Sequence, residues 1–281
     1  MFRRSGLKSP AQLRAMVQPG LITAASLDAV RAAIRPGITT AELDAAAERA
    51  ITERGAHSNF KLVPGYHHAT CISVNNQVVH GIPGDLVVQA GDIVSIDSGA
   101  ETPDGWNGDS AITIVVPGPD AETVRRRQEL SDVTEGSMWA GIAALASAKR
   151  TNEVGAAVED WIHAHPLSWT GQPAGILRDY VGHGIGRKMH EAPSVFNYRA
   201  GDDGVPVKPG LAICIEPMMT AGLDDVFVED DDWTIATVDG TDGSHWEHSV
   251  AVHDDGIWVL TSPDGGAASL APFGVTPVPI P

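Results

Sequence analysis

Gly91-Asp92-Ile93-Val94-Ser95-Ile96-Asp97 reads as a turn glycine, a short apolar strand and a carboxylate six residues after the glycine. The same pattern returns as Gly210-Leu211-Ala212-Ile213-Cys214-Ile215-Glu216, so both strands are read as ending in an acid. The correspondence extends outward from this pair. Asp104-Gly105 stands five and four residues before Asp109, and Asp242-Gly243 stands at the same distances before Glu247. His80-Gly81-Ile82 is matched by His183-Gly184-Ile185, and Thr39 and Thr151 each open an amphipathic helix. Any one echo arises easily by chance, because Gly and Asp are common. Their agreement in order favours a duplicated half-domain, with a pseudo-two-fold site between the halves.

The rest of the chain reads as mixed α+β. Ser9-Pro10 supplies an N-cap and a first-turn proline for a helix carrying Leu13, Met16 and Val17. Pro19-Gly20 is expected to break or kink it before Leu21 to Ile34 continue. Thr39 and Glu42 form a capping box for an alanine-rich helix that stops at Gly55, and further helices are expected over Ala121 to Ala148 and Asn152 to Ala164. Short apolar runs at Cys71 to Val74, Ile93 to Ile96, Ala111 to Val116, Leu211 to Ile215 and Trp258 to Leu260 read as strands. Residues 1–262 are expected to form the catalytic domain. Residues 263–281, rich in Pro and Gly, are expected to be a tail outside it.

Composition narrows the function classes. The 281 residues carry 36 acids against 19 basic residues, a formal charge of −17, which argues against a nucleic-acid grip built on phosphate contacts. No stretch approaches the roughly 20 apolar residues of a membrane span, and the first ten residues lack the apolar core of a signal peptide. A cytoplasmic protein is therefore expected. Cys71 and Cys214 are the only cysteines, too few for a disulfide framework or a structural zinc knot.

Most of the acids serve solubility, but Asp97, Asp109, Glu216 and Glu247 sit in or beside apolar runs with few basic residues near them. A buried carboxylate without a partner is costly enough that it finds a cation or takes up a proton. Four such acids point to metal, since two divalent ions would balance their charge and bridging acids hold two metals about 3.5–4 Å apart. His183 supplies an imidazole donor. Four oxygens and one nitrogen form a hard site suited to manganese, iron(II), cobalt or magnesium, with zinc accepted. Pro217 biases Glu216 to an extended backbone. His80 and His190 stand in Gly/Pro-bounded loops of the kind that carry function, and His245 and His248 flank Glu247 as candidate orienting groups. His67, His68, His163, His165 and His253 are read as surface or packing residues.

The segments Val78-Val79-His80-Gly81-Ile82-Pro83, Ser95-Ile96-Asp97, Gly108-Asp109, Gly182-His183-Gly184-Ile185-Gly186, Ile215-Glu216-Pro217-Met218 and Trp246-Glu247-His248 resemble, in order, the motifs of type I methionine aminopeptidases. The resemblance runs from Lys8 to about Thr261. It implies the pita-bread fold, with pseudo-two-fold half-domains around a dinuclear metal site. It also implies removal of the initiator methionine from nascent polypeptides with a small second residue. Two divalent ions (cobalt, manganese, iron(II) or zinc) would be held by Asp97, Asp109, His183, Glu216 and Glu247. His80 and His190 would contact the scissile peptide, with Glu216 moving the proton of the attacking water. Tyr66, Cys71 and Trp233 would line the methionine pocket, to which the residue reading adds Met189. A monomer working near the ribosome exit, without nucleic-acid or membrane contacts and without an N-terminal extension, is expected. Asn107 stands where the family commonly has histidine, Met189 where an aromatic is frequent, and His245 where glutamine is common. The Asp97 to Asp109 loop is one residue longer than usual. Two rival readings are a proline-directed peptidase of the same fold and a non-catalytic binding relative.

Overall fold

The Ser9 hydroxyl accepts from the Gln12 amide and the Gln12 side chain accepts from the Ser9 amide, so α1 (Pro10–Ala33) begins with a reciprocal cap. In the computed structural model, which describes residues 6–201 and 204–281, this helix is continuous through Pro19-Gly20. Of the expected break or kink, a break is absent, because the pair marks a crossing rather than an end. A Cβ on Gly20 would lie 2.3 Å from the Leu260 carbonyl oxygen, and one on Gly108 would lie 2.7 Å from the Gly20 nitrogen. Tertiary packing offsets the hydrogen bond that a proline removes. Of the first ten residues, which lack the apolar core of a signal peptide, residues 1–5 lie outside the described residues. Three more long helices follow: α2 (Thr40–Thr52) under the Thr39–Glu42 capping box, α3 (Ala121–Leu145) capped by Asp120, and α4 (Asn152–Ala164). Thr151 does stand at the start of α4, but its hydroxyl accepts from the Val205 amide instead of capping the helix.

The helices back a nine-stranded sheet. Its strands, in chain order, are β1 (His57–Ser58), β2 (Thr70–Val74), β3 (Ile93–Glu101), β4 (Asn107–Val115), β5 (Gly182–Gly184), β6 (Glu191–Val195), β7 (Ala212–Ile215), β8 (Glu247–His253) and β9 (Gly256–Val259). Across the sheet the order is β1-β3-β4-β8-β7-β5-β6, with β2 also on β3 and β9 also on β8. The pair β3-β4 and the pair β7-β8 meet at an antiparallel seam between β4 and β8. Two short sheets, one of which carries Gly243–His245 beside Met218–Thr220, complete the fold.

Two further expectations are corrected. Asp97 does not end its strand, because β3 runs on through Ser98, Gly99 and Ala100 to Glu101. Gly99 is required there: a Cβ would come within 2.2 Å of the Asn59 side-chain oxygen. Residues 263–281 do not lie outside the core. Leu270 is fully buried in it, the Val278 amide donates to the Ile257 carbonyl, and Phe273 packs on Trp161. Leucine, valine and phenylalanine side chains between the prolines give that segment an apolar face to bury. No helix among the described residues is long and apolar enough to cross a membrane.

Candidate functional site

Register places the acids. Asp97 on β3 and Glu247 on β8 both pair directly with Ala111 on β4, one from each side. Asp109, two residues before Ala111, shares its face because side chains alternate along a strand. Glu216 follows the last residue of β7, and His183 lies on β5. Five adjacent strands, β3, β4, β8, β7 and β5, thus bring one donor each to a single cavity of about 140 Å³.

The electrostatics of this row are unusual for a protein interior. Asp97 Oδ1, Asp109 Oδ1, Glu216 Oε1 and Glu247 Oε1 are buried and accept no hydrogen bond. No Lys or Arg pairs with any of the four among the described residues; only histidines approach. Burial pushes the Asp97 carboxyl up to about 7. Burial, then Glu247 and Asp97, raises Asp109 well above its usual range; burial, then Asp97 and Asp109, does the same to Glu216. Glu247 is raised by burial and then by Glu216 and Asp97. Such a cluster is stable as carboxylates only around positive charge. His183 Nε2 comes 3.3 Å from Glu216 Oε1 and 3.8 Å from Asp109 Oδ2, yet neither approach is a hydrogen bond. Its Nδ1 is 3.0 Å from the Gly184 carbonyl oxygen, which can only accept, so Nδ1 carries the proton and Nε2 keeps a lone pair. The donor atoms form two close groups, Asp109-His183-Cys214-Glu247 and Glu216-His245-Glu247, each within 4.8 Å of one another and sharing Glu247. Chemistry and orphaned oxygens both fit divalent cations.

The catalytic and pocket candidates converge on the same cavity, lined also by Tyr66, Cys71, His80, Met189, His190 and Trp233. His80 adopts a left-handed backbone (φ 61°), and the loop is pinned by Gly81, whose amide donates to Ser73 Oγ and whose Cβ would lie 2.3 Å from the Ile72 carbonyl oxygen. Burial, with His190 behind it, lowers His80 to about 4, and burial also lowers His190, so both are neutral near pH 7. The His190 ring stands edge-on to His183 at 4.3 Å. Met189 and His190 ride on a loop anchored by Glu191, which accepts from Lys8 Nζ and from the Arg187 and Lys188 amides. The Tyr66 hydroxyl donates to the Thr70 carbonyl, and the Tyr66 ring sits 5.0 Å from that of Trp233. Asp231 accepts from the Trp233 amide and fixes the turn that presents it.

Sequence reasoning missed Phe60 and Val63, which complete the apolar wall from a short 3-10 turn without periodicity. Cys214 was also missed; its position two residues before Glu216 was the available signal. Its thiol, raised by burial and then by Glu247, shares a 3.4 Å hydrogen bond with Ser249 Oγ. His248 does not orient Glu247: its Nδ1 is 2.8 Å from Thr261 Oγ1 and its ring packs on Trp139. His245 does face the acids, at 3.8 Å from Glu216 Oε2. The Asp97 to Asp109 connection turns after Thr102, where Gly105 takes a positive φ, and Asn107 bridges Glu101 and the Gly186 carbonyl.

Residues 14–254 match the model of metallopeptidase family M24. The chain is 44% identical to methionine aminopeptidase 1 of Mycobacterium tuberculosis over 90% of this chain and 94% of that protein. It superposes on the crystal structure of methionine aminopeptidase from Thermotoga maritima with a TM-score of 0.83 and 34% identity, covering 93% of this chain and 100% of that one. The prolidase of Pyrococcus furiosus shares the fold, at a TM-score of 0.69 and 21% identity, over 91% of this chain and 65% of that one.

Proposed function

The chain belongs to metallopeptidase family M24, among the type I methionine aminopeptidases of pita-bread fold, and from that premise we propose how its own residues hydrolyse the bond after an N-terminal methionine. The activity is metal-dependent, and its substrates are the N-termini of nascent polypeptides. The observation that carries the chemistry is the row of four unpaired buried carboxylates with one tautomer-fixed imidazole.

In this reading Asp97, Asp109, His183, Glu216 and Glu247 hold two divalent cations, of a kind drawn from cobalt, manganese, iron(II) and zinc. Divalent cations bound there supply Lewis-acid polarisation of the scissile carbonyl and acidify water. Glu216, a member of one donor group and 3.3 Å from His183 of the other, takes the proton of the attacking water and passes it towards the leaving amine. His190 donates to the carbonyl oxygen as negative charge develops, and His80 contacts the amide nitrogen. Tyr66, Cys71, Met189 and Trp233 take the thioether side chain, since an unbranched sulfur-containing chain packs well against aromatic rings. The free α-amine meets the acids, which restricts the enzyme to chain ends. The His80 and His190 loops crowd the second residue, so Gly, Ala or Ser is accepted and Lys, Glu or Leu rejected. Residues 1–262 act as the catalytic domain, with 263–281 as a packed appendage. New N-termini arise where chains leave the ribosome, which supports a cytoplasmic monomer working near that exit without nucleic-acid contacts.

The test is metal analysis together with kcat/KM for Met-Ala-Ser, Met-Lys-Ser, Leu-Ala-Ser and a peptide with proline second. Chelation should abolish turnover of Met-Ala-Ser and a divalent transition metal should restore it. Full turnover in a metal-free sample would remove the mechanism, and equal cleavage of Met-Lys-Ser or Leu-Ala-Ser would remove the specificity.

A further inference from the structure

His245 is the third residue of the Gly243–His245 strand, which pairs in register with Met218–Thr220. That pairing sets it opposite Met218, two residues beyond Glu216. Its backbone is held on both sides: the amide donates to Ser95 Oγ and Thr113 Oγ1, and the carbonyl accepts from Thr113 Oγ1. The ring is only 1% exposed, and neither Nδ1 nor Nε2 has a hydrogen-bond partner. A buried imidazole with both nitrogens unsatisfied is a liability unless something else takes its lone pair. Nε2 points towards Glu216 Oε2 at 3.8 Å, too far for a hydrogen bond. Glu216, His245 and Glu247 each offer a donor atom within 4.8 Å of the other two. A point between three such atoms lies about 2 to 2.8 Å from each, near the lengths of bonds from divalent metals to nitrogen and oxygen.

We propose that His245 is a second imidazole ligand of the site, donating Nε2 to the cation held between Glu216 and Glu247. The proposal rests on reading the cavity as a metal centre. The site then offers one nitrogen to each of two ions, His183 to one and His245 to the other. An added nitrogen moves the second position away from a purely oxygen donor set, favouring cobalt or zinc over manganese or magnesium there. A positioning role, with His245 merely hydrogen-bonded to Glu216, predicts none of this selectivity.

The test uses the full chain stripped of metal, as wild type, His245→Gln and His245→Ala, with circular dichroism to show that each is folded. Titration with Co(II), followed by calorimetry and visible absorption, should give two binding events in the wild type. In the variants the first event should persist and the second should weaken at least about tenfold, with a smaller loss when Mn(II) is titrated. X-ray absorption of the zinc-loaded proteins should show the imidazole scattering per zinc falling by half in His245→Gln. If affinity falls but the imidazole signal stays the same, His245 positions Glu216 and the proposal is overturned. Unchanged affinity and unchanged scattering overturn it as well. Should the wild type bind no divalent ion, the reading of the cavity itself fails, which separates that failure from the failure of this ligand. Should His245→Ala not fold, His245→Gln, closer in volume, carries the comparison.

Discussion

At the scale of single residues, the cavity separates groups that bind from groups that act. Replacing Asp109 or Glu216 by Ala should empty the site of metal, because each carboxylate is both donor and charge balance; retained stoichiometry by elemental analysis would reject the assignment. His80→Ala and His190→Ala should keep the metal and lose rate by roughly 10²–10⁴-fold, the usual range for groups in proton transfer or charge stabilisation. Metal loss in either variant would move that histidine among the ligands. The acids were legible in the sequence because a carboxylate inside Ile93-Val94-Ser95-Ile96-Asp97 contradicts its neighbours, and contradiction of local pattern marks a site. Phe60 and Val63 contradict nothing, so their place on the pocket wall emerges only from tertiary packing. His245 was legible as a neighbour of Glu247, but its part as a donor rests on what its buried ring fails to contact.

Among the elements, caps and periodicity located the four long helices closely, but not that the helix runs unbroken through Pro19-Gly20, because the residues packed on that pair, Gly108 and Leu260, are distant in sequence. Strand ends were harder. Ser98-Gly99-Ala100 has little strand character of its own, and β3 extends through it only because β4 pairs along its whole length. The loop carrying Met189 and His190 is the element on which specificity should depend most. Glu191 gathers three donors there, Lys8 Nζ at 3.0 Å among them, and the Lys8 side chain is itself only 7% exposed. Glu191→Ala should therefore loosen the loop and lower stability by about 1 kcal/mol, chiefly by leaving the buried Lys8 ammonium without its partner, since the Arg187 and Lys188 amides can turn to water. Its effect on turnover should be larger for Met-Ala-Ser than for a peptide with a poorly fitting first side chain. Thermal melts and kcat/KM on the two peptides measure this, and an equal loss on both would show that the loop does not shape the pocket.

The whole molecule shows the carboxylate row as a pH and metal dependence of stability. Asp97 is raised from 3.8 to about 7 in the folded chain, and the other three acids are raised as well. The metal-free folded state therefore holds more protons than the unfolded state across that window, and its stability should fall as pH rises through it, by on the order of a few kcal/mol. With a divalent ion present the sign should reverse, because protons then compete with the ion for the same oxygens and binding stabilises only the folded form. Melting curves between pH 4 and 7 in chelator and in Mn(II) test this; parallel curves would show that the acids do not bind the ion. The seam between β4 and β8 has a consequence in time. Ser110 and His248, which touch across it, are 138 residues apart in the chain, and contacts so distant form only after long loops have closed. Ions that need both sides of the seam cannot speed folding and should instead slow unfolding. A chain still being synthesised stays silent towards the N-termini around it until its closing strands are in place.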